Sequence, residues 1–138
     1  MKVSVILPTL NEEKGVGKTI DSINLDYFKK NNWKLEIMIV DGDSKDKTQK
    51  IAKTKGAKII VEKSKGYGRA YKTGMSQASG DIIVTGDADA TYPFDRIHKY
   101  IEQLIDEKLD FITTDRFAEL KHGSMSIKHY FGNFILAT

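Results

Sequence analysis

Two aspartates separated by a single residue, Asp87 and Asp89, follow an apolar run at residues 82–84. Such a run of β-branched residues is typical of a buried strand. Like charges this close repel each other unless a cation binds between them, and Mg²⁺ or Mn²⁺ usually sit with one or two carboxylates and the phosphates of a substrate. The pair therefore indicates either a divalent metal site or a polar turn that caps the helix opened by Pro93.

A second acidic loop follows another apolar run. Asp41, Asp43 and Asp46 come after residues 35–40, which also read as a buried strand. In an open parallel sheet, ligands bind beyond the carboxyl ends of the strands, where each loop leads from strand to helix. We therefore expect the two acidic loops, although distant in sequence, to lie at one edge of the sheet and to form one site.

Strands and helices alternate at short spacing along the chain. The predicted strands cover residues 3–7, 35–40, 57–61, 81–85 and 109–114, the first being stopped by Pro8. The predicted helices cover residues 16–27, 48–54, 70–78 and 94–107, and a further one begins at residue 124. This alternation predicts an α/β fold with a mainly parallel sheet covered by helices on both faces, hence three layers.

Length and composition fit one domain over residues 1–138. The chain is 40% hydrophobic, which is enough for a core, and its net charge of +3 gives no reason to expect a nucleic-acid partner. The absence of cysteine excludes disulfides, thiolate metal sites and a cysteine nucleophile. No stretch is long and apolar enough for a membrane span, and no signal peptide is present, so the expected location is the cytoplasm.

The last residues, 130–138, are apolar and carry no helix stop signal. From this pattern we expect the chain to be the N-terminal part of a longer catalytic unit.

Five stretches, taken in order, resemble motifs of family 2 glycosyltransferases of GT-A fold, and within that family the dolichyl- or polyprenyl-phosphate sugar synthases. They are the opening strand and P-x-x-N-E turn at 3–13, the acidic loop at 36–48, the G-x-G-x-A helix start at 65–81, the D-A-D-x-x-x-P motif at 86–93, and the strand ending in arginine and an aromatic at 114–117. The resemblance implies a Rossmann-like, nucleotide-sugar-binding GT-A domain and an inverting hexosyltransferase.

The resemblance also implies roles for particular residues. Asp89 and Arg116 are the implied catalytic residues, the first acting through the metal and the second as a cation at the phosphates. Mg²⁺ or Mn²⁺ is the implied cofactor, with Asp87, Asp89 and Thr91 as metal residues. The implied nucleotide-sugar contacts are Pro8, Thr9, Asn11, Glu12, Asp41, Asp43, Gly68, Arg69 and Asp87.

The sequence departs from the family pattern at two places that bear on the sugar donor. The usual Asp-Asp-Gly-Ser reads Asp41-Gly42-Asp43-Ser44, and Thr91 stands where dolichyl-phosphate mannose synthases often carry glutamine. GDP-mannose and UDP-glucose therefore both stay open as donors.

The implied acceptor is a dolichyl or polyprenyl phosphate, whose anionic oxygen needs no strong general base. Membrane association would come through a part beyond Thr138, which would place the protein at the cytoplasmic face of a membrane. The alternatives are a family 2 transferase acting on a saccharide hydroxyl, and a nucleotide-sugar-binding half-domain without activity of its own.

Overall fold

The fold is described from a computed structural model, which describes residues 1–114. Four strands form a parallel sheet in the order β3-β2-β1-β4. Their bounds are β1 Lys2–Thr9, β2 Lys34–Asp41, β3 Lys58–Val61 and β4 Ile82–Thr85. Arg116 and the helix predicted from residue 124 lie outside the described residues.

Helices connect the strands and lie on both faces of the sheet. They are α1 Val16–Ser22, α2 Leu25–Lys30, α3 Thr48–Thr54, α4 Tyr67–Gln77 and α5 Ile97–Asp106, the last preceded by a 3-10 turn at Phe94–Arg96. One face of β1 and β2, with Val5, Leu7 and Ile39, packs with buried residues of α1, α2, α3 and α5. The other face, with Ile6 and Met38, packs against α4. The structure thus confirms the predicted three-layer α/β architecture.

Pro8 does not end β1 as predicted. The strand continues to Thr9, whose carbonyl oxygen accepts a hydrogen bond of 2.8 Å from the backbone N of Gly42 after β2. Because successive residues of a strand direct their backbone groups to opposite sides, the missing N–H of Pro8 faces the β4 side. β4 pairs with β1 only as far as Ile6, opposite Thr85, so the proline breaks no ladder hydrogen bond.

The helix predicted over residues 16–27 is two helices. After α1, Ile23 adopts an extended conformation with φ −67° and ψ 124°. Asn24 then caps α2, its side chain accepting a hydrogen bond of 3.1 Å from the backbone N of Tyr27. The apolar spacing predicts the buried face correctly, since Val16 and Ile20 are buried. The helix is divided because the asparagine side chain favours a new helix start over continuation.

The prediction of a strand at residues 109–114 is wrong. These residues form no ladder with β4; residues 110–114 line a groove of about 580 Å³ beside β4 and α5, and Phe111 is 78% exposed. Their content of Phe, Ile and Thr is typical of a strand, but a strand forms only where a partner supplies hydrogen bonds and a packing surface.

Candidate functional site

The loops that follow β1 and β2 are joined by hydrogen bonds between a side chain of one and the backbone of the other. The backbone N of Asn11 donates to Ser44 Oγ at 2.8 Å, and the backbone N of Lys45 donates to Asn11 Oδ1 at 2.9 Å. Asn11 has a φ of 58°, a left-handed conformation that asparagine adopts more readily than most residues. The two loops therefore form one hydrogen-bonded unit.

The same unit reaches the start of α3. The backbone N of Glu12 donates to Thr48 Oγ1 at 2.8 Å, and the backbone N of Glu13 donates to Asp46 Oδ2 at 3.1 Å. Asp46 Oδ1 in turn accepts from the backbone N of Thr48 at 2.9 Å. The first residues after β1 are thus fixed against the first residues of α3, which sets the position of Glu12 at the sheet edge.

Asp41 ends β2 and is fully buried. Its Oδ1 accepts from Thr9 Oγ1 at 2.8 Å and from Ser44 Oγ at 2.6 Å. Its Oδ2 accepts from the backbone N of Ser44 at 2.8 Å and from Gln49 Nε2 at 2.6 Å. Four bonds fill the acceptor capacity of a carboxylate, so in this structure Asp41 holds the β1 and β2 loops together. Its contact with a nucleotide base stays a prediction.

The loop after β4 lies directly on the start of α1. A Cβ atom at Gly15 would be 2.6 Å from the carbonyl oxygen of Ala88 and 2.7 Å from Asp89 Cα, so only glycine allows this approach. The backbone N of Ala90 donates to Thr19 Oγ1 at 3.0 Å, and Ala90 has a φ of 67°. These contacts place the second acidic loop against the start of α1.

Each aspartate of the second loop has a hydrogen-bond partner. Asp89 Oδ1 accepts from the backbone N and Oγ1 of Thr91 at 2.9 and 2.6 Å, as in a polar turn. Asp89 Oδ2 has no hydrogen-bond partner within residues 1–114, and Asp89 is exposed. Asp87 Oδ1 accepts from the hydroxyl of Tyr67 at the start of α4. Thr91 is therefore hydrogen-bonded to Asp89, and a metal-binding role for either residue stays a prediction.

The pKa of Glu12 reflects burial and the negative charge of the site. Its pKa is raised above the ordinary value, first by burial and then by the negative charges of Asp89, Asp46 and Asp87. Asp46 belongs to the loop after β2, and the other two belong to the loop after β4. Carboxylates from three strand ends therefore act on one another, which is the convergence that the sequence predicts.

A cleft of about 880 Å³ lies between these loops and the start of α4. Of the predicted site residues, those that line it are Pro8, Thr9, Glu12, Asp43, Asp87 and Asp89. Those within residues 1–114 that do not line it are Asn11, Asp41, Gly68, Arg69 and Thr91. Arg69 is exposed on α4, and its charge helps to lower the pKa of Glu62 at the cleft, after the hydrogen bond from Thr73.

The donor set of the second loop fits a divalent ion. Within the described part of the chain, no three histidine or acidic residues lie close enough to hold a metal by themselves. Asp87 and Asp89 supply two hard oxygen donors in a field of further negative charge, and Mg²⁺ or Mn²⁺ commonly takes its remaining ligands from water and substrate phosphates. The residues present therefore fit such an ion together with a diphosphate.

Several residues that form the site are absent from the set of site residues predicted from the sequence. Lysines 45, 63 and 65 line the cleft and give it a positive rim, and Lys45 Nζ lies 2.6 Å from Asp43 Oδ2. That ion pair holds the pKa of Asp43 below its usual value. Tyr67 and Gly15 were also missed. The signals available for these two are a glycine directly before α1 and a tyrosine at the start of α4.

Comparison with known proteins identifies the family. The family model for glycosyl transferase family 2 matches residues 4–131. The chain therefore belongs to glycosyl transferase family 2, as the sequence motifs predict. Among residues 1–114, no helix is long and apolar enough to cross a membrane.

Curated relatives include three archaeal proteins. The low-salt glycan biosynthesis hexosyltransferase Agl6 of Haloferax volcanii is 35% identical over 97% of this chain and 32% of its own length. The dolichyl-phosphate hexose transferase of the same organism is 32% identical over 85% of this chain and 49% of its own length. The dolichol-phosphate mannosyltransferase of Pyrococcus furiosus is 38% identical over 75% of this chain and 30% of its own length. The chain thus spans between about a third and a half of these relatives.

Solved structures with the same fold include two sugar-phosphoglycerate synthases. The glucosyl-3-phosphoglycerate synthase of Mycobacterium tuberculosis, crystallised with Mn²⁺, UDP and glucosyl-3-phosphoglycerate, matches with a TM-score of 0.58 and 27% identity over 79% of this chain and 40% of that one. The mannosyl-3-phosphoglycerate synthase of Rubrobacter xylanophilus matches with a TM-score of 0.59 and 30% identity. The match covers 67% of this chain and 32% of that one. The fold is therefore that of GT-A glycosyltransferases.

Proposed function

We propose that this chain is the nucleotide-sugar-binding part of a glycosyltransferase that moves a hexose from a nucleotide diphospho-sugar to a dolichyl or polyprenyl phosphate. One observation supports the part of the proposal that concerns binding of the sugar donor, called the donor half below. Acidic loops from the ends of β1, β2 and β4 border a single cleft with a lysine rim, and Asp87 and Asp89 line it together. Such a cleft suits a ligand that brings both a cation and a diphosphate.

In the proposed reaction, an oxygen of the acceptor phosphate attacks the anomeric carbon of the sugar. The bond from that carbon to the diphosphate breaks, and the nucleoside diphosphate leaves with the electron pair. A divalent ion would supply positive charge to the leaving diphosphate. Asp87 and Asp89 would hold it, and Thr91 fixes Oδ1 of Asp89 so that the carboxylate is oriented before the ligand arrives.

Positively charged side chains would bind the phosphates as well. Lys45, Lys63 and Lys65 line the cleft, and Arg69 stands on the exposed side of the α4 start nearby. Arginine suits this task because its planar group makes paired, charge-assisted hydrogen bonds with phosphate. We assign the same task to Arg116, which lies outside the described residues. Positive charge at the diphosphate would stabilise it as the sugar departs.

The donor half is tested by calorimetric titration of UDP and GDP into the full-length protein, with and without Mn²⁺. We expect one nucleotide to bind in an Mn²⁺-dependent manner. Asp89→Ala should weaken that binding by at least about tenfold, since even the outer-shell partners of metal sites contribute about 10–100-fold. Asp95→Ala is the matched control, because Asp95 is exposed and pairs only with its neighbour Arg96 at 3.8 Å among the ion pairs of residues 1–114. Binding without metal, unchanged in Asp89→Ala, would contradict the site.

The acceptor half needs transfer assays with the full-length protein. Radiolabelled sugar from GDP-mannose or UDP-glucose should appear on dolichyl phosphate and enter the organic phase. The curated dolichyl-phosphate transferases support this acceptor, whereas the structural neighbours act on phosphoglycerate, so 3-phosphoglycerate is offered in parallel. Label on phosphoglycerate alone would overturn the lipid acceptor while leaving the donor site intact. No product from either donor would favour a binding module.

The expected place of action is the cytoplasmic face of a membrane, where a polyprenyl phosphate would be available to a domain that binds cytoplasmic nucleotide sugars. Fractionation of cells producing the full-length protein tests this. We expect the protein in the membrane pellet, and its release by high salt would distinguish surface attachment from insertion.

A further inference from the structure

Tyr67 links two elements of the site that the sequence motifs treat separately. It is the first residue of α4 and lies on the cleft, with 58% of its surface exposed. Its hydroxyl donates a hydrogen bond to Asp87 Oδ1, twenty residues further along the chain. The donor must be the tyrosine, because an ionised carboxylate only accepts. The start of α4 is therefore tied to the acidic loop after β4.

The ring of Tyr67 is held from behind by Tyr71, one helical turn later. The two rings meet edge to face at 87° with centroids 5.0 Å apart, and their hydroxyl oxygens are 3.1 Å apart. Tyr71 packs against the buried cluster of Ile6, Met38 and Val40 under α4. A continuous series of contacts thus runs from the core through Tyr71 and Tyr67 to Asp87, and an exposed side chain gains a fixed orientation.

Backbone geometry directs Tyr67 toward the cleft. Gly66, the residue before α4, has a φ of 128° and a ψ of 128°, a conformation that residues with a Cβ rarely adopt. The chain turns at this glycine from the lysine-containing loop into the helix. After this turn, the first helical side chain reaches the acidic loop with its hydroxyl, while much of the ring stays exposed.

We propose that Tyr67 is a positioning residue that orients Asp87 for the metal and the diphosphate. The inference rests on the proposed function, because it needs a metal and nucleotide in this cleft. Hydrogen bonds to metal-ligating carboxylates fix their direction, and losing such a bond typically costs about 10–100-fold in metal affinity or activity. Tyr67 would act through Asp87 and need not touch the nucleotide itself.

The test uses Tyr67→Phe in the full-length protein, which keeps the ring and its contact with Tyr71 and removes the hydroxyl. Calorimetry with the nucleotide that the wild type binds gives the Mn²⁺ concentration for half-maximal binding. We expect it to rise about 10–100-fold in Tyr67→Phe. Tyr100→Phe should leave it unchanged, since Tyr100 lies on α5 beside the other groove. An unchanged value in Tyr67→Phe would overturn the inference.

A double-mutant cycle separates an indirect role from a direct one. If Tyr67 acts through Asp87, adding Tyr67→Phe to Asp87→Ala, which removes the acceptor, should change the half-saturating Mn²⁺ concentration by less than about twofold. An effect as large as in the wild-type background would mean that Tyr67 contacts the ligand directly, and the positioning role would be wrong. If the wild type shows no Mn²⁺-dependent binding, the proposed function fails first and this inference fails with it. Equal unfolding midpoints for wild type and Tyr67→Phe would exclude a folding defect as the cause.

Discussion

Thr9 and Asp41, the last residues of the neighbouring strands β1 and β2, are joined by a buried hydrogen bond of 2.8 Å from Thr9 Oγ1 to Asp41 Oδ1. The pair lies where both strands pass into the loops of the candidate site. Its burial means that the position of these loops depends on bonds within the protein before any ligand binds. The residues expected at the nucleotide are thus also residues that stabilise the sheet edge.

The first prediction concerns this bond. Thr9→Val keeps the shape of the side chain and removes the donor, so Asp41 loses one of its four bonds inside the protein. We expect the free energy of unfolding to fall by roughly 1–3 kcal/mol. Denaturant unfolding measures the change. Thr54→Val is the control, because Thr54 is exposed and its hydroxyl donates to the carbonyl oxygen of Ile51 in its own helix. Equal losses in both variants would contradict the importance of the buried pair.

The second prediction concerns acid stability at the opposite end of the sheet. Hydrogen bonds, above all from Ser4 Oγ at 2.6 Å and also from Ser79, lower the pKa of Glu36 from 4.5 to about 2. A depressed pKa contributes stability above the unfolded value of 4.5, and that contribution is lost as the pH falls toward 2. Glu36→Gln should therefore destabilise the protein at pH 7 by roughly 1–2 kcal/mol and much less near pH 2.

Unfolding curves of the wild type and Glu36→Gln between pH 7 and pH 2 check this. The difference in unfolding free energy between them should shrink as the pH falls through that window. A difference that is constant with pH would mean that the charge of Glu36 contributes nothing.

The third prediction concerns the packing of α4 on the sheet. A Cβ at Gly74 would lie 2.5 Å from Ile6 Cγ2 and 3.0 Å from Val40 Cγ2, so Gly74→Ala must displace the helix or the strands. We expect a loss of about 1–3 kcal/mol in unfolding free energy. Gly68→Ala in the same helix has no atom within 4 Å of its new Cβ and should be neutral or stabilising by about 0.5–1 kcal/mol.

Gly68→Ala also tests a predicted site residue. If Gly68 allows the nucleotide sugar to approach the backbone, the variant should bind nucleotide more weakly although it folds at least as stably as the wild type. Unchanged binding would remove Gly68 from the set of predicted contacts.

The fourth prediction concerns the contact between α1 and the acidic loop. Gly15→Ala would place a Cβ 2.6 Å from the Ala88 carbonyl oxygen and should displace the loop that carries Asp87 and Asp89. We expect Mn²⁺-dependent nucleotide binding to weaken about tenfold or more, because small displacements of ligating groups are costly. Gly17→Ala meets only the Ile51 methyl and the flexible Lys55 side chain at 3.1 Å and serves as the control. Calorimetric titration of both variants decides the point.

The sequence by itself determined the order of β1 to β4 along the chain and the two acidic loops. The apolar runs predict β1 to β4 closely, and α3 covers Thr48–Thr54 as predicted, because buried strands and capped helices leave a strong local pattern. That the sheet is mainly parallel also follows from alternating strands and helices, whereas the strand order β3-β2-β1-β4 does not. That both acidic loops face one cleft could be inferred because parallel strands end at the same edge.

Only the tertiary structure decided which neighbours those elements have. Pro8 continues β1 because β4 ends before it, Asn24 divides a helix that the apolar spacing predicts as one, and residues 109–114 pair with no strand. The link from Tyr67 to Asp87 and the approach of Gly15 to Ala88 join residues distant in sequence. The local sequence pattern predicts which face of a strand or helix is buried. Which atoms that face contacts depends on how all the elements pack together.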